Sequence, residues 1–93
     1  MPRVNVSTQL ALRHGASRRI LRRYRLQPAL TLSFKVLKLA GSETGLILVE
    51  EWEDMTAFEA YKASEGFAYV SKMLGPLMLA APRSRAFEAV LAS

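Results

Sequence analysis

The chain has no cysteine, which excludes disulfide staples and thiolate metal sites and leaves no trace of a redox compartment. It has one histidine, His14, and one imidazole cannot make a zinc site. No apolar run is long enough to cross a bilayer, and the opening Met1-Pro2-Arg3-Val4 enters strand-like sequence with no basic leader. The expectation is a soluble, cytoplasmic protein with no membrane partner. Acids are absent from residues 1–42, which hold nine Lys/Arg, whereas residues 43–93 hold eight Asp/Glu against four Lys/Arg. Such asymmetry can mark a nucleic-acid or membrane binder. Within one short chain it points instead to faces of opposite sign meeting inside the fold or across a dimer.

What the sequence has in abundance is hydrophobicity. Its 93 residues are 51% hydrophobic, enough chain for one domain with one modest core. So small an interior cannot hide all of that apolar surface, so part of it is expected to be covered by a second copy.

Val4, Val6, Leu10 and Leu12 alternate with polar residues, the pattern of a half-buried strand. His14-Gly15 ends it. From Ala16 to Arg25 the spacing predicts a helix, with Ala16, Ile20, Leu21 and Tyr24 on one arc and five arginines from Arg18 to Arg25 on the other. Leu26 falls on the basic side, and Gln27-Pro28 closes the helix. Residues 29–39 alternate again through Leu30, Leu32, Phe34 and Val36. A phase slip at Val36-Leu37-Lys38-Leu39 suggests a bulge. A turn with two glycines, Gly41 to Gly45, then leads into a third strand over 46–53, so these two strands should form a hairpin. Leu46-Ile47-Leu48-Val49 is apolar throughout, which implies that both sheet faces are covered there.

Thr56-Ala57-Phe58-Glu59 has the spacing of a capping box and predicts a helix start. Ser64-Glu65-Gly66 interrupts this helix, and another begins near Phe67, with Phe67, Val70, Met73 and Leu74 inward. Gly75-Pro76 ends it. Residues 85–90 read as a last strand. The order strand, helix, strand, strand, helix, strand is that of a ferredoxin-like α+β fold, βαββαβ, with a four-stranded antiparallel sheet and helices on one face.

Residues 46–54, Leu-Ile-Leu-Val-Glu-Glu-Trp-Glu-Asp, lead into Phe58-Glu59-Ala60-Tyr61 and Ala63-Ser64-Glu65-Gly66-Phe67, and then Leu79-Ala80-Ala81-Pro82-Arg83. Over about residues 45–91 this resembles the second half of an antibiotic-biosynthesis monooxygenase domain, in which a strand ends in an acid-rich Trp motif and a helix follows with His or Tyr. The resemblance implies a homodimer closed sheet to sheet as a dimeric αβ barrel. It also implies a cleft between helices and sheet, lined by the Trp at the end of the third strand. Members include oxygenases that act without a cofactor on quinols or polyketide-derived phenols, and haem-degrading enzymes. The haem branch fits poorly: Ser71 stands where its iron-ligating His would fall, and Thr8 where it uses Asn. The expectation is no cofactor and no metal.

Trp52 and Tyr61 are the candidate catalytic residues. An indole donates one hydrogen bond and offers a flat surface to an aromatic ligand. Thr8, Tyr24, Leu48, Glu50, Phe67 and Ser71 are the candidate substrate-binding residues. Plainer readings stand beside some of these: Trp52 as a core residue at a strand end, Tyr24 and Tyr61 on inner helical arcs as core, and His14 as a loop residue. Glu50 shares the strand face of Trp52 and is either a partner across the dimer, the reading preferred here, or a base; otherwise the sequence offers no obvious base. The arginines from Arg18 to Arg25 read as a solvated helix face, because no nucleic-acid-binding signature accompanies them, and no nucleic-acid partner is expected. Two functions remain. One is a cofactor-independent monooxygenase acting on a quinol, phenol or polyketide-like aromatic. The other is a non-catalytic dimeric module that binds a small hydrophobic molecule or serves structurally.

Overall fold

An alternating strand near the start of the chain, a glycine-bounded hairpin and a strand near the end build one sheet. A computed structural model describes residues 2–23 and 26–92. In chain order the elements are β1 (Arg3–Ala11), α1 (Ala16–Arg23), β2 (Ser33–Lys38), β3 (Gly45–Trp52), α2 (Met55–Lys62), α3 (Glu65–Leu74), a single 3-10 turn (Gly75–Leu77) and β4 (Arg83–Ala89). The four strands pair antiparallel in the order β2-β3-β1-β4, the ferredoxin-like arrangement. The ion pair Arg3–Glu51 at 2.9 Å joins the basic first half to the acidic second, and His14 lies 3.3 Å from Glu43.

Several local expectations shift. β2 pairs with β3 in unbroken register from Ser33 opposite Glu51 to Lys38 opposite Leu46, so there is no bulge. The apparent slip arises because Leu37 faces outward beside Ile47, 46% exposed. β2 also starts later than the alternation suggested. Pro28 opens a turn whose carbonyl accepts from the Thr31 hydroxyl at 3.0 Å, leaving Leu30 outside the sheet. On α1 the buried arc is Ala16, Ser17 and Ile20, while Leu21 at its margin is exposed. Leu26 is buried, since the helical wheel no longer applies once the chain has left the helix. Tyr24 and Arg25 lie outside the described residues.

The cap of α2 is Asp54 rather than Thr56: its Oδ1 accepts from the Ala57 N–H at 2.8 Å, and the helix begins at Met55. A carboxylate with extended backbone captures a free N–H of the first turn and favours the helix dipole. The Ser64 hydroxyl caps α3 by accepting from the Phe67 N–H at 3.2 Å, so α3 starts at Glu65.

Helices cover one sheet face. Two clusters lie beneath them. Leu10, Leu12, Ala16, Ile20, Leu46 and Leu74 belong to one, and Val4, Val6, Trp52 and Phe58 form the other. On the opposite sheet face Ile47 and Val49 are half-buried and Phe87 is 55% exposed, beside the polar Asn5, Ser7 and Gln9 of β1. The second face is therefore apolar only in part.

Candidate functional site

β3 alternates strictly between half-buried and buried positions. Glu50 and Trp52, two residues apart, consequently project together toward the helices. Trp52 is 1% exposed and Glu50 7%. The indole Nε1–H donates to Glu50 Oε1 at 3.0 Å. Burial pushes the Glu50 carboxyl above its ordinary value of 4.5, and the indole bond, which favours the charged form, offsets part of that rise.

Tyr61 comes from α2, whose Asp54 cap sets where the helix begins. Its ring stacks on Trp52 with centroids 5.0 Å apart and planes at 28°. Phe58 meets Trp52 at 6.0 Å in a tilted pair, and Phe67 of α3 meets Tyr61 edge-on at 5.3 Å. The Tyr61 hydroxyl is raised above its ordinary 10.0, first by burial and then by the Glu50 charge. At neutral pH it is a neutral phenol that can donate a hydrogen bond but not take a proton. Proton acceptance in this cluster falls to Glu50.

A cavity of about 330 Å³ lies between the sheet and α2–α3, with Thr8, Glu50, Lys62, Ser71 and Ser84 as its polar lining. Thr8 and Ser84 share a 2.8 Å hydroxyl–hydroxyl hydrogen bond across β1 and β4. The Lys62 ammonium sits 4.7 Å over the Phe58 ring. A carboxylate with a raised proton affinity beside hydroxyls and aromatic walls can accept the proton of an acidic hydroxyl group and hold a flat ring against them.

Of the candidates, Thr8, Leu48, Glu50, Tyr61, Phe67 and Ser71 all line this cavity. Trp52 does not. It stands behind Tyr61 and lines a neighbouring cavity of about 480 Å³ instead. The expected open indole surface is thus already used, its N–H bonded to Glu50 and its ring stacked by Tyr61. Glu50 departs from the preferred reading in the opposite sense. It points toward the helices rather than into the outer sheet face, so it cannot serve a sheet-to-sheet partner. Tyr24 lies outside the described residues. His14 is exposed near Glu43, away from this cavity.

Sequence reasoning missed Ser84, Lys62 and the segment from Leu26 to Leu30. Ser84 lies before the expected start of the last strand, and beginning that strand at Arg83 would have put Ser84 on the same face as Ala86. In the loop, Leu26 reads as the basic side of the first helix and Leu30 as the start of the second strand, so neither marks a site.

Comparison with known proteins places the fold. No family model matches the sequence, and no curated protein matches it. Solved structures do match. A variant of SnoaB, a cofactor-independent oxygenase from Streptomyces nogalater, is 14% identical with a TM-score of 0.78, the match covering 99% of this chain and 97% of that one. A structure named antibiotic biosynthesis monooxygenase is 19% identical with a TM-score of 0.72, over 95% of this chain and 99% of that one. A conserved protein from Methanosarcina mazei is 13% identical with a TM-score of 0.79, over 94% and 92%. The chain has the fold of the antibiotic-biosynthesis monooxygenase structures.

Proposed function

We propose that this protein is a cofactor-independent monooxygenase acting on an acidic aromatic hydroxyl compound, a quinol, phenol or polyketide-like ring, with Glu50 as the proton acceptor. The observation that carries this reading is the buried Glu50 carboxylate, held by the Trp52 indole and facing a cavity that could take such a ring. A general base works best when its proton affinity approaches the working pH, and burial moves Glu50 in that direction.

In the proposed reaction Glu50 takes the hydroxyl proton, and the ring anion passes one electron to dioxygen. Recombination forms a carbon–oxygen bond and a hydroperoxide anion, which recovers the proton from Glu50. Loss of water then breaks the O–O bond and the C–H bond at that carbon and leaves a carbonyl. One oxygen atom enters the product and the other leaves as water. The substrate supplies all the electrons, and Glu50 returns to its starting state. In this reading the hydroxyls of Thr8, Ser71 and Ser84, which line the same cavity, hold the ring oxygens, with Tyr61 and Phe67 as walls.

The test is oxygen uptake with a panel of quinols and anthrone-like phenols. Glu50→Gln should reduce turnover by at least about a hundredfold, the lower range for general base catalysis. The turnover of the native protein should rise with pH through a midpoint above 4.5. Trp52→Phe, which removes the indole donor, should move that midpoint upward. Equal turnover in native protein and Glu50→Gln would end the assignment.

A second reading has its own support. The bond between Trp52 and Glu50 pairs the indole N–H with one carboxylate oxygen, a structural role that a binding module without chemistry would also use. Saturable binding of the same phenols with no oxygen uptake would establish it.

The homodimer is likewise proposed, with Leu37, Ile47, Val49 and Phe87 as the apolar part of the joined sheet faces. Sedimentation velocity over a dilution series should show a two-copy species, and a stable single copy throughout would remove it.

A further inference from the structure

Next to the Glu50 cavity lies the one of about 480 Å³ behind the segment from Leu26 to Leu30. The two differ in chemistry. The Glu50 cavity is lined by a carboxylate, an ammonium and several hydroxyls. Among the described residues no charged one lines the second, whose walls include Leu26, Pro28, Leu30, Trp52, Ala60 and Val70. Among the described residues Leu26, Tyr61 and Val70 line both and form the partition between them.

Leu26 and Pro28 are buried and anchor the segment, whereas Leu30 at the rim is 79% exposed. A large apolar side chain held in water beside an apolar cavity marks a place where apolar matter is received. The sheet-to-sheet dimer would use the opposite face of the sheet and leave this cavity uncovered. An apolar cavity of about 150 Å³ is enough to hold a benzene ring. By that measure the second cavity has room for about three such units and the Glu50 cavity for about two.

We propose that the ligand of this protein is amphipathic and binds in two parts: a flat hydroxylated ring in the Glu50 cavity, and an uncharged alkyl or prenyl tail that passes Tyr61 into the cavity behind Leu26–Leu30. This rests on the reading of the Glu50 cavity as the ligand site. It adds the class of substituent that the ring carries.

The probes are hydroquinones bearing no chain or a straight alkyl chain of increasing length, titrated calorimetrically into the full chain. Each methylene that enters the cavity should tighten binding about fourfold, until the tail outgrows the space and the gain stops. Trp52 is the only tryptophan and lines the tail cavity, so its emission should shift increasingly with chain length. Ala60→Phe, at an exposed helix position on the cavity wall, should flatten the chain-length dependence, with the chainless hydroquinone as reference. Glu50→Gln should weaken every probe by the same factor and keep the increment per methylene. If the chainless probe binds but chain length changes nothing, or if Ala60→Phe keeps the full increment, the tail site is refuted while the Glu50 cavity stands. Failure of every hydroquinone to bind refutes both.

Discussion

The two ends of the helix-covered sheet face are built differently. At one end Leu12, Ala16, Ile20 and Leu46 fill the space with aliphatic groups. Backbone bonds lock this end: Leu12 N–H to Thr44 O and Arg13 N–H to Leu77 O, both 2.8 Å, and Leu79 N–H to Ala11 O at 2.7 Å. At the other end aromatic rings surround a carboxylate, with two cavities opening beside them. Aliphatic packing makes no polar demands and can close completely. A buried carboxylate must be hydrogen-bonded and weakens the fold when ionised, and open cavities forgo packing contacts. One end holds the fold together, and the other gives up some of that stability around the proposed site.

The sharpest way to break the contrast is Trp52→Ala, which removes a fully buried ring and the donor to Glu50. It should cost about 3–5 kcal/mol in denaturant unfolding, a large share of the stability of a domain this size, and should also abolish oxygen uptake. Leu12→Ala at the aliphatic end should cost about 2–5 kcal/mol, yet turnover per folded molecule, measured below the new melting point, should stay at the native level. If both variants lose turnover in parallel with stability, the division of labour is wrong.

Glu50→Gln sharpens the comparison through pH. Below 4.5 the carboxyl is protonated in both folded and unfolded chains and contributes nothing to the pH dependence. As pH rises past 4.5 the unfolded carboxyl ionises first, so the native protein loses stability until the raised folded value is passed, and the loss is constant above it. The variant lacks this slope. Its stability relative to the native protein should grow across that window by about 1.4 kcal/mol per pH unit of elevation, as read from urea unfolding at several pH values.

Smaller effects belong to the periphery. Asp54→Ala should cost about 1 kcal/mol in thermal unfolding through the lost cap, with a further decline in turnover because α2 carries Tyr61. Arg3→Ala removes a largely exposed ion pair with Glu51 and should change stability by less than about 1 kcal/mol, an effect that vanishes in high salt.

Much of the fold could be read directly from periodicity. The inward set of β1, the glycine-bounded hairpin and the element order all follow from alternation and turn chemistry. Misreadings arose where two signals of similar strength competed. Thr56 and Asp54 are both good caps, and the chain geometry before Met55 selected the acid. Leu37 broke the expected alternation because an apolar residue can occupy the outer face as readily as the inner. At the site, the shared face of Glu50 and Trp52 was legible from their spacing of two. Their mutual bond, and Tyr61 closing over the indole, were not.

The amino-acid order by itself determined the strands and helices, their succession and the pairing of Glu50 with Trp52 on one side of β3, because these depend on short-range periodicity and turn chemistry. Only the tertiary structure decided which side of β3 the helices cover. That placement turned Glu50 from an expected interface acid into a buried carboxylate bonded to the indole, and put Trp52 behind Tyr61 rather than in the Glu50 cavity. The reason is physical: burial, proton affinity and cavity shape depend on residues distant in sequence, and a strand read alone cannot specify which of its faces meets them.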